Sequence, residues 1–306
     1  MRIVIALGGN ALGNDPITQL NNAKLTAKKI IPIIKEGHEV IITHGNGPQV
    51  GLINLAFEEG KKVNKKVYDM PFSECSAMSE GYIAYHLKES IQNEINKAKL
   101  NKSISSLITT VVVDKNDPAF LNPTKPIGSF YTYDEIKDMP FPFKEDSGRG
   151  YRRVIASPKP VKILEEEEIR TLISNGFIVI SCGGGGIPVI INEDNSISGI
   201  DAVIDKDYVS SKLASDINAD ILLIITSIKN AKINFNKPNE KDLFKVKVDE
   251  MEEYLKNGEF KDGSMKPKVE ASINFVKNTK GGKAIITDIE NAYNALNLKC
   301  GTIVEK

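Results

Sequence analysis

The chain has 306 residues, 41% of them hydrophobic, with 40 Lys and Arg set against 40 Asp and Glu. That length buries a large core and fits one large α/β unit or two tightly joined lobes. The even charge argues against a nucleic-acid or acidic-membrane partner, and no apolar run approaches the roughly 18 residues of a membrane span.

Ile3, Val4, Ile5 and Leu7 form a β-branched apolar run that reads as a buried parallel strand, and it stops abruptly at Gly8-Gly9-Asn10. Without a Cβ, backbone N–H groups there can approach an anion closely, and a following helix adds positive potential at the same place. A lone GGN is no more than a tight turn, but the construction recurs. His44-Gly45-Asn46-Gly47-Pro48 follows an apolar run over residues 39–43, and Gly183, Gly184, Gly185 and Gly186 follow a run over 177–182. Three apolar strands ending in glycines predict one phosphate-binding site at one edge of one sheet.

Between these strands the spacing predicts a helix over residues 19–36, with Ala23, Ala27, Ile30, Ile31 and Ile34 on one side, Gly37 as a stop and a kink at Pro32. Pro48 fits the first position of a second helix over 49–59. Residues 78–98 read as a third helix and 106–113 as a β-rich run, so the βαβα alternation predicts a parallel sheet covered on both faces.

From residue 117 to 160 prolines, aromatics and turn formers replace any periodicity. Such a long excursion predicts an inserted subdomain projecting over the site. Regular alternation then returns: a helix over 162–174 whose EEEE run reads as a solvated face, a strand over 177–182, a helix over 207–217 and a strand over 221–226. Helices over 248–256 and 267–277, a strand over 284–287, a helix over 289–296 and a strand over 302–304 complete the pattern.

Phosphoryl transfer needs positioning and fixed positive charge more than covalent help. Lys268 follows Pro267 in the first turn of a predicted helix, where a cation opposes the helix dipole unless an anion sits nearby. On position alone, a solvated lysine is an equally good reading. Asp207 reads as a helix cap, and Lys206 beside it carries little meaning by itself. Lys125 lies between Pro123 and Pro126, which stiffen the backbone that presents it. His44 could orient its loop, but no Ser-His-Asp arrangement and no metal-ligand spacing is visible. Mg²⁺ is therefore expected to arrive on nucleotide phosphates. Cys75, Cys182 and Cys300 are far apart and suit a reducing compartment; with a first apolar run too short for a signal peptide, a cytoplasmic location is expected.

ALGGNAL, HGNGPQVG, DPAFLNPTKPIG, KEDSGRGYRRV, SPKPV, GGGGIPV, AVIDKD, INFNKP and GSMKPKVEA, in this order, resemble the carbamate kinases of the amino acid kinase family from Arg2 to Val304. The resemblance implies a three-layer αβα sandwich around an eight-stranded, mainly parallel open sheet, with a small protruding lid at about 117–160. It implies an N-terminal lobe (1–215) for carbamate or carbamoyl phosphate, a C-terminal lobe (216–306) for ADP or ATP with Mg²⁺, and a homodimer. Lys125, Lys206 and Lys268 would neutralise the transferring phosphoryl group, with Asp207 orienting the lysines. Gly8, Gly9, Asn10, Gly47 and Gly51, together with Gly184 and Gly185, would serve the small substrate. Thr226, Lys232, Ser264 and Met265, with Lys268, would serve the nucleotide. Sibling kinases such as acetylglutamate kinase carry a lysine just before the first glycine pair, where this chain has Ala6; the lid lysine, Lys125, is the expected substitute. Three positions depart from the common pattern: Ser227 for Asp or Gly, Lys232 for Tyr, and Tyr151 for Trp. The implied reaction is reversible transfer between carbamoyl phosphate and MgADP, giving MgATP and carbamate, in arginine fermentation. The alternatives are another amino acid kinase acting on a different small carboxylate and a non-catalytic binding or regulatory module of the same fold; three lysines at a transfer point argue against the second.

Overall fold

A computed structural model describes residues 1–9, 13, 15–139, 141–146, 148–261 and 264–306. In chain order, β1 (Arg2–Leu7), α1 (Pro16–Lys35), β2 (Glu39–His44), α2 (Gln49–Val63), α3 (Phe72–Lys97), β3 (Ile104–Ser106) and β4 (Thr110–Val113) come first. The insert contributes β5 (Lys125–Tyr131), α4 (Tyr133–Ile136), β6 (Phe143–Glu145) and β7 (Tyr151–Ile155). There follow β8 (Pro160–Ile163), α5 (Glu166–Ser174), β9 (Ile178–Ile180), β10 (Ile187–Ile191), β11 (Ile197–Gly199) and α6 (Lys206–Asp216). The remainder is β12 (Ile221–Thr226), β13 (Lys232–Ile233), β14 (Lys241–Asp242), β15 (Lys245–Lys247), α7 (Val248–Lys256), α8 (Met265–Asn278), β16 (Lys283–Asp288), α9 (Ala292–Leu296) and β17 (Thr302–Glu305).

The main sheet has eight strands in the order β15-β17-β16-β12-β1-β2-β9-β3, and only the β16–β17 pair runs antiparallel. Its strands are apolar throughout because both faces are covered. Val4, Ala6, Ile41, Val179, Leu222 and Ile224 pack on one side against α5 to α8, through Ile169, Leu213, Met251 and Phe275. Ile3, Ile5, Leu7, Ile42, Ile180 and Leu223 face the other way, onto Ala27, Ile30 and Ile33 of α1 and Ile83, Leu87 and Ile91 of α3. The period of two along each strand thus sorts the core into the two interfaces of a three-layer αβα sandwich.

The insert folds as a three-stranded antiparallel sheet, β5-β7-β6. Its two ends are drawn together where the Lys159 N–H donates to Asp117 Oδ2 at 3.0 Å. It sits on α2 at a close backbone crossing: a Cβ on Gly51 would lie 2.5 Å from the Gly128 nitrogen, so only glycine fits there. Ile127 and Ile155 of the lid bury themselves with Val50, Phe72, Cys75 and Val203.

Several predicted elements are redrawn. The β-rich run over 106–113 is two strands: β3 ends in the main sheet, and β4 joins a second sheet, β11-β10-β4-β8. Two carboxylates capture the backbone at the break, Glu80 Oε2 from Thr109 N–H (3.1 Å) and Glu165 Oε2 from Thr110 N–H (2.7 Å). The helix expected over 162–174 begins only at Glu166, because residues up to Ile163 pair with β4 as β8. Glu165 is accordingly a tether and not part of a solvated face. α1 begins earlier, at Pro16, capped by Asp15, and it continues through Pro32 with Ile31, Ile33 and Ile34 buried. Pro48 is the cap of α2 and not its first helical residue. α3 starts six residues early, where Asp201 Oδ1 accepts the Phe72 N–H at 3.0 Å.

Candidate active site

Strands β1, β2 and β9 are neighbours, so their three glycine turns emerge side by side at the same sheet edge. Gly8 donates its N–H to the Ile225 carbonyl at 3.1 Å, and a Cβ there would stand 2.7 Å from that oxygen. Gly45 donates to the Leu7 carbonyl at 3.2 Å, joining the first two turns.

Beside these turns lies a charge cluster. Lys206 opens α6, and Asp205, not Asp207, caps that helix, accepting the Asp207 N–H at 2.9 Å. Asp207 is thereby freed for a different task. Its Oδ1 accepts from Lys206 Nζ at 2.5 Å and its Oδ2 from Lys268 Nζ at 3.0 Å. Burial alone would raise the Asp207 pKa, but the two ammonium groups override it and hold the carboxyl below the usual carboxylate range. Burial also lowers the Lys206 pKa, against the pull of Asp207. The lid brings Lys125 to the same place, with Nζ 2.7 Å from Asp205 Oδ2.

Two cavities open here. The larger, about 590 Å³, is lined by Gly8, Thr226, Ser227, Lys232 and Met265, with Ile228, Phe235, Phe260 and Ile289 giving it an apolar wall. The smaller, about 330 Å³, is lined by Asn46, Gly47, Gly51, Lys125, Gly184 and Asp207. Gly9, Lys206, Ser264 and Lys268 line both, so they form the seam between the two. Gly185 lines neither cavity and instead backs the Ile204 carbonyl. Asn10 lies outside the described residues. Lys232 is engaged by its own hairpin, with Nζ 2.5 Å from Glu240 Oε1 and 3.4 Å from Asp242 Oδ1.

Arg152 and Glu80 join the site without a clear mark in the amino-acid sequence. Arg152 stands on lid strand β7 and lines the smaller cavity. Its Nη1 reaches Asp146 at 3.3 Å, while its Nε is buried with no hydrogen-bond partner among the described residues. The one signal was its place in GRGYRR, next to the lid motif. Glu80 gave no signal at all, being one carboxylate on a long helix. Among the described residues no group of three or more His, Cys, Asp or Glu side chains could hold a metal, and no helix is long and apolar enough to cross a membrane.

His44 and Glu80, both buried behind the glycine turns, titrate in opposite senses. Burial pushes His44 down from 6.5 to about 4, and pushes Glu80 up from 4.5 to about 8 despite two backbone donors. Below pH 6.5 the unfolded chain protonates His44 before the folded one does, so this group destabilises the fold as pH drops toward 4. Between 4.5 and 8 the unfolded chain ionises Glu80 and the folded one does not, so that group destabilises the fold as pH rises. The slopes oppose each other between 4.5 and 6.5, and above 6.5 that of Glu80 stands alone. Thermal melts should therefore show about 2 kcal/mol lost toward pH 8. The variant His44→Asn should keep gaining stability down to pH 4.5. A wild-type curve flat up to pH 8 would contradict these assignments.

The amino acid kinase family model matches residues 1–288. The carbamate kinase of Clostridium perfringens is 49% identical over all of both chains. The carbamate kinase-like protein YqeA of Escherichia coli is 48% identical, covering 99% of this chain and 98% of that protein. Among solved structures, carbamate kinase from Giardia lamblia bound to AMP-PNP superposes with a TM-score of 0.93 at 43% identity, covering 100% of this chain and 98% of that one.

Proposed function

Because this chain belongs to the amino acid kinase family, we propose that it works as a carbamate kinase, passing a phosphoryl group between carbamoyl phosphate and MgADP to give carbamate and MgATP. The observation that carries this reading is the seam: two adjoining cavities of about 590 and 330 Å³ share Lys206, Lys268, Gly9 and Ser264. A phosphoryl group crossing from one to the other must pass those cations. The apolar wall of the larger cavity suits a nucleobase, and the relative from Giardia lamblia is described with AMP-PNP bound. Residues 216–306 with the first glycine turn would hold the nucleotide, and residues 1–215 the small substrate.

Each residue then has a task. Asp207 keeps two ammonium groups close together without folding strain from their repulsion, so the positive charge is in place before the reaction. The glycine turns let backbone N–H groups approach the phosphoryl oxygens. Lys125 and Arg152 reach the smaller cavity from the lid, where a guanidinium fits the carboxylate end of carbamate. The transfer is direct and in line, because the two cavities share a seam across which donor and acceptor can meet without a covalent enzyme intermediate. Both Asp207 oxygens are taken by lysines, so Mg²⁺ would come bound to nucleotide phosphates and water, where it neutralises phosphate charge. A homodimer working in the ATP-forming direction of arginine fermentation completes the proposal.

Purified protein should form ATP from carbamoyl phosphate and ADP with Mg²⁺ present, and lose that activity on chelation. N-acetylglutamate and UMP should not be phosphorylated, since Ala6 stands where a sibling kinase carries its lysine. A coupled ATP assay measures all of this; no ATP, or turnover surviving chelation, would sink the proposal.

A further inference from the structure

Glu80 touches neither cavity, yet it is only 1% exposed and both of its oxygens are engaged. From α3, Oε1 accepts the Gly183 N–H at 2.9 Å and Oε2 accepts the Thr109 N–H at 3.1 Å. Its neighbour Ser79 accepts from Asn46 Nδ2 at 3.0 Å. One step of α3 therefore grips both the second and the third glycine turns.

The third turn has no slack. A Cβ on Gly183 would lie 2.4 Å from the His44 ring and 2.8 Å from Glu80 Cγ. On Gly184 it would lie 2.3 Å from Asn46 Nδ2, and on Gly185 2.2 Å from the Ile204 carbonyl oxygen. The turn is thus a wedge, with Asn46 against one side and Ile204 against the other. Asn46, Ile204 and Asp205 line the smaller cavity, and Lys206 follows directly on that segment.

We infer that Glu80 is a positioning residue for phosphoryl transfer: by tethering the turn at Gly183 it sets the gap between Asn46 and the segment 203–206 that carries Lys206. This deepens the kinase reading and rests on it for the rate measurements below. A buried carboxyl group held by two chain segments far apart in sequence is costly unless its hydrogen bonds are made, and here they are made to backbone that must not move. Displacing a reacting group by about 1 Å can cost up to about 10²-fold in rate.

The test compares Glu80→Asp with Glu80→Gln. The aspartate is one methylene shorter and cannot reach both N–H groups, while the glutamine keeps the length but turns one acceptor oxygen into an NH2 donor and leaves one backbone N–H without an acceptor. For Glu80→Asp, assayed well below its melting temperature, kcat should fall by about 10- to 10²-fold. Its KM for MgADP should stay within about twofold, because the wedge borders only the smaller cavity. Amide hydrogen exchange over residues 183–186 should speed up by at least about tenfold. Glu80→Gln keeps the side-chain volume but gives up one of the two bonds, so its kcat should fall as well, by up to about tenfold, with the KM for MgADP again within about twofold; a residue that merely filled space would leave this near-isosteric variant at wild-type kcat. Wild-type kcat in Glu80→Asp, or unchanged exchange over 183–186, would overturn the inference. If the wild-type protein made no ATP from carbamoyl phosphate, the assigned reaction would fall, and the exchange comparison would still decide the tether.

Discussion

Lys206→Ala and Lys268→Ala are each expected to lower kcat by about 10²–10³, the usual loss for removing one preorganised charge partner of a transition state. The effect should fall on kcat and not on KM, because both cations line the seam and are closest to the group while it is in transit. Either single variant should still fold. Each leaves Asp207 with one ammonium partner, at 3.0 Å in the first case and 2.5 Å in the second. Removing both lysines is different: Asp207, 2% exposed, would then be a buried charge without compensation. Breaking up such a buried arrangement costs about 3–5 kcal/mol. Steady-state kinetics with thermal melts separate the two effects. A change confined to the KM for MgADP would assign these lysines to nucleotide binding alone.

Lys125→Ala should reduce turnover by about 10² while leaving MgADP affinity and melting temperature nearly unchanged. Lys125 lines the smaller cavity and not the larger, so nucleotide contacts are untouched. Its side chain is 34% exposed, and its pair with Asp205 is therefore worth little to folding. Asp205 also keeps its other duty, capping α6, without the lysine. What the variant loses is a cation held over the site by a lid that the Gly51–Gly128 crossing seats on α2. Near-normal turnover would show that the lid contributes no charge to the reaction and that Lys206 and Lys268 suffice.

Features that depend on neighbours in the chain were legible in the amino-acid sequence: the apolar strands β1, β2, β9, β12 and β16, and the glycines that end the first three. Alternation, turn residues and a lysine beside proline are short-range patterns, and the ordered motifs carried the family with them. The misreadings came where a long-range contact captured the backbone. Glu80 and Glu165 broke the run before β4, at Thr109 and Thr110, Asp201 started α3 early, and Asp205 took the capping role expected of Asp207. The site itself is a product of tertiary structure. Lys268 meets Asp207 across 61 positions, Lys125 meets Asp205 across 80, and Glu80 meets Gly183 across 103. The strand order alone puts the three glycine turns side by side. Glu80, Arg152 and the seam between the cavities are invisible in the amino-acid sequence, because burial is a sum over everything that packs around a group. An isolated carboxylate in a helix looks the same in sequence whether it faces water or two backbone amides, and only the fold decides which.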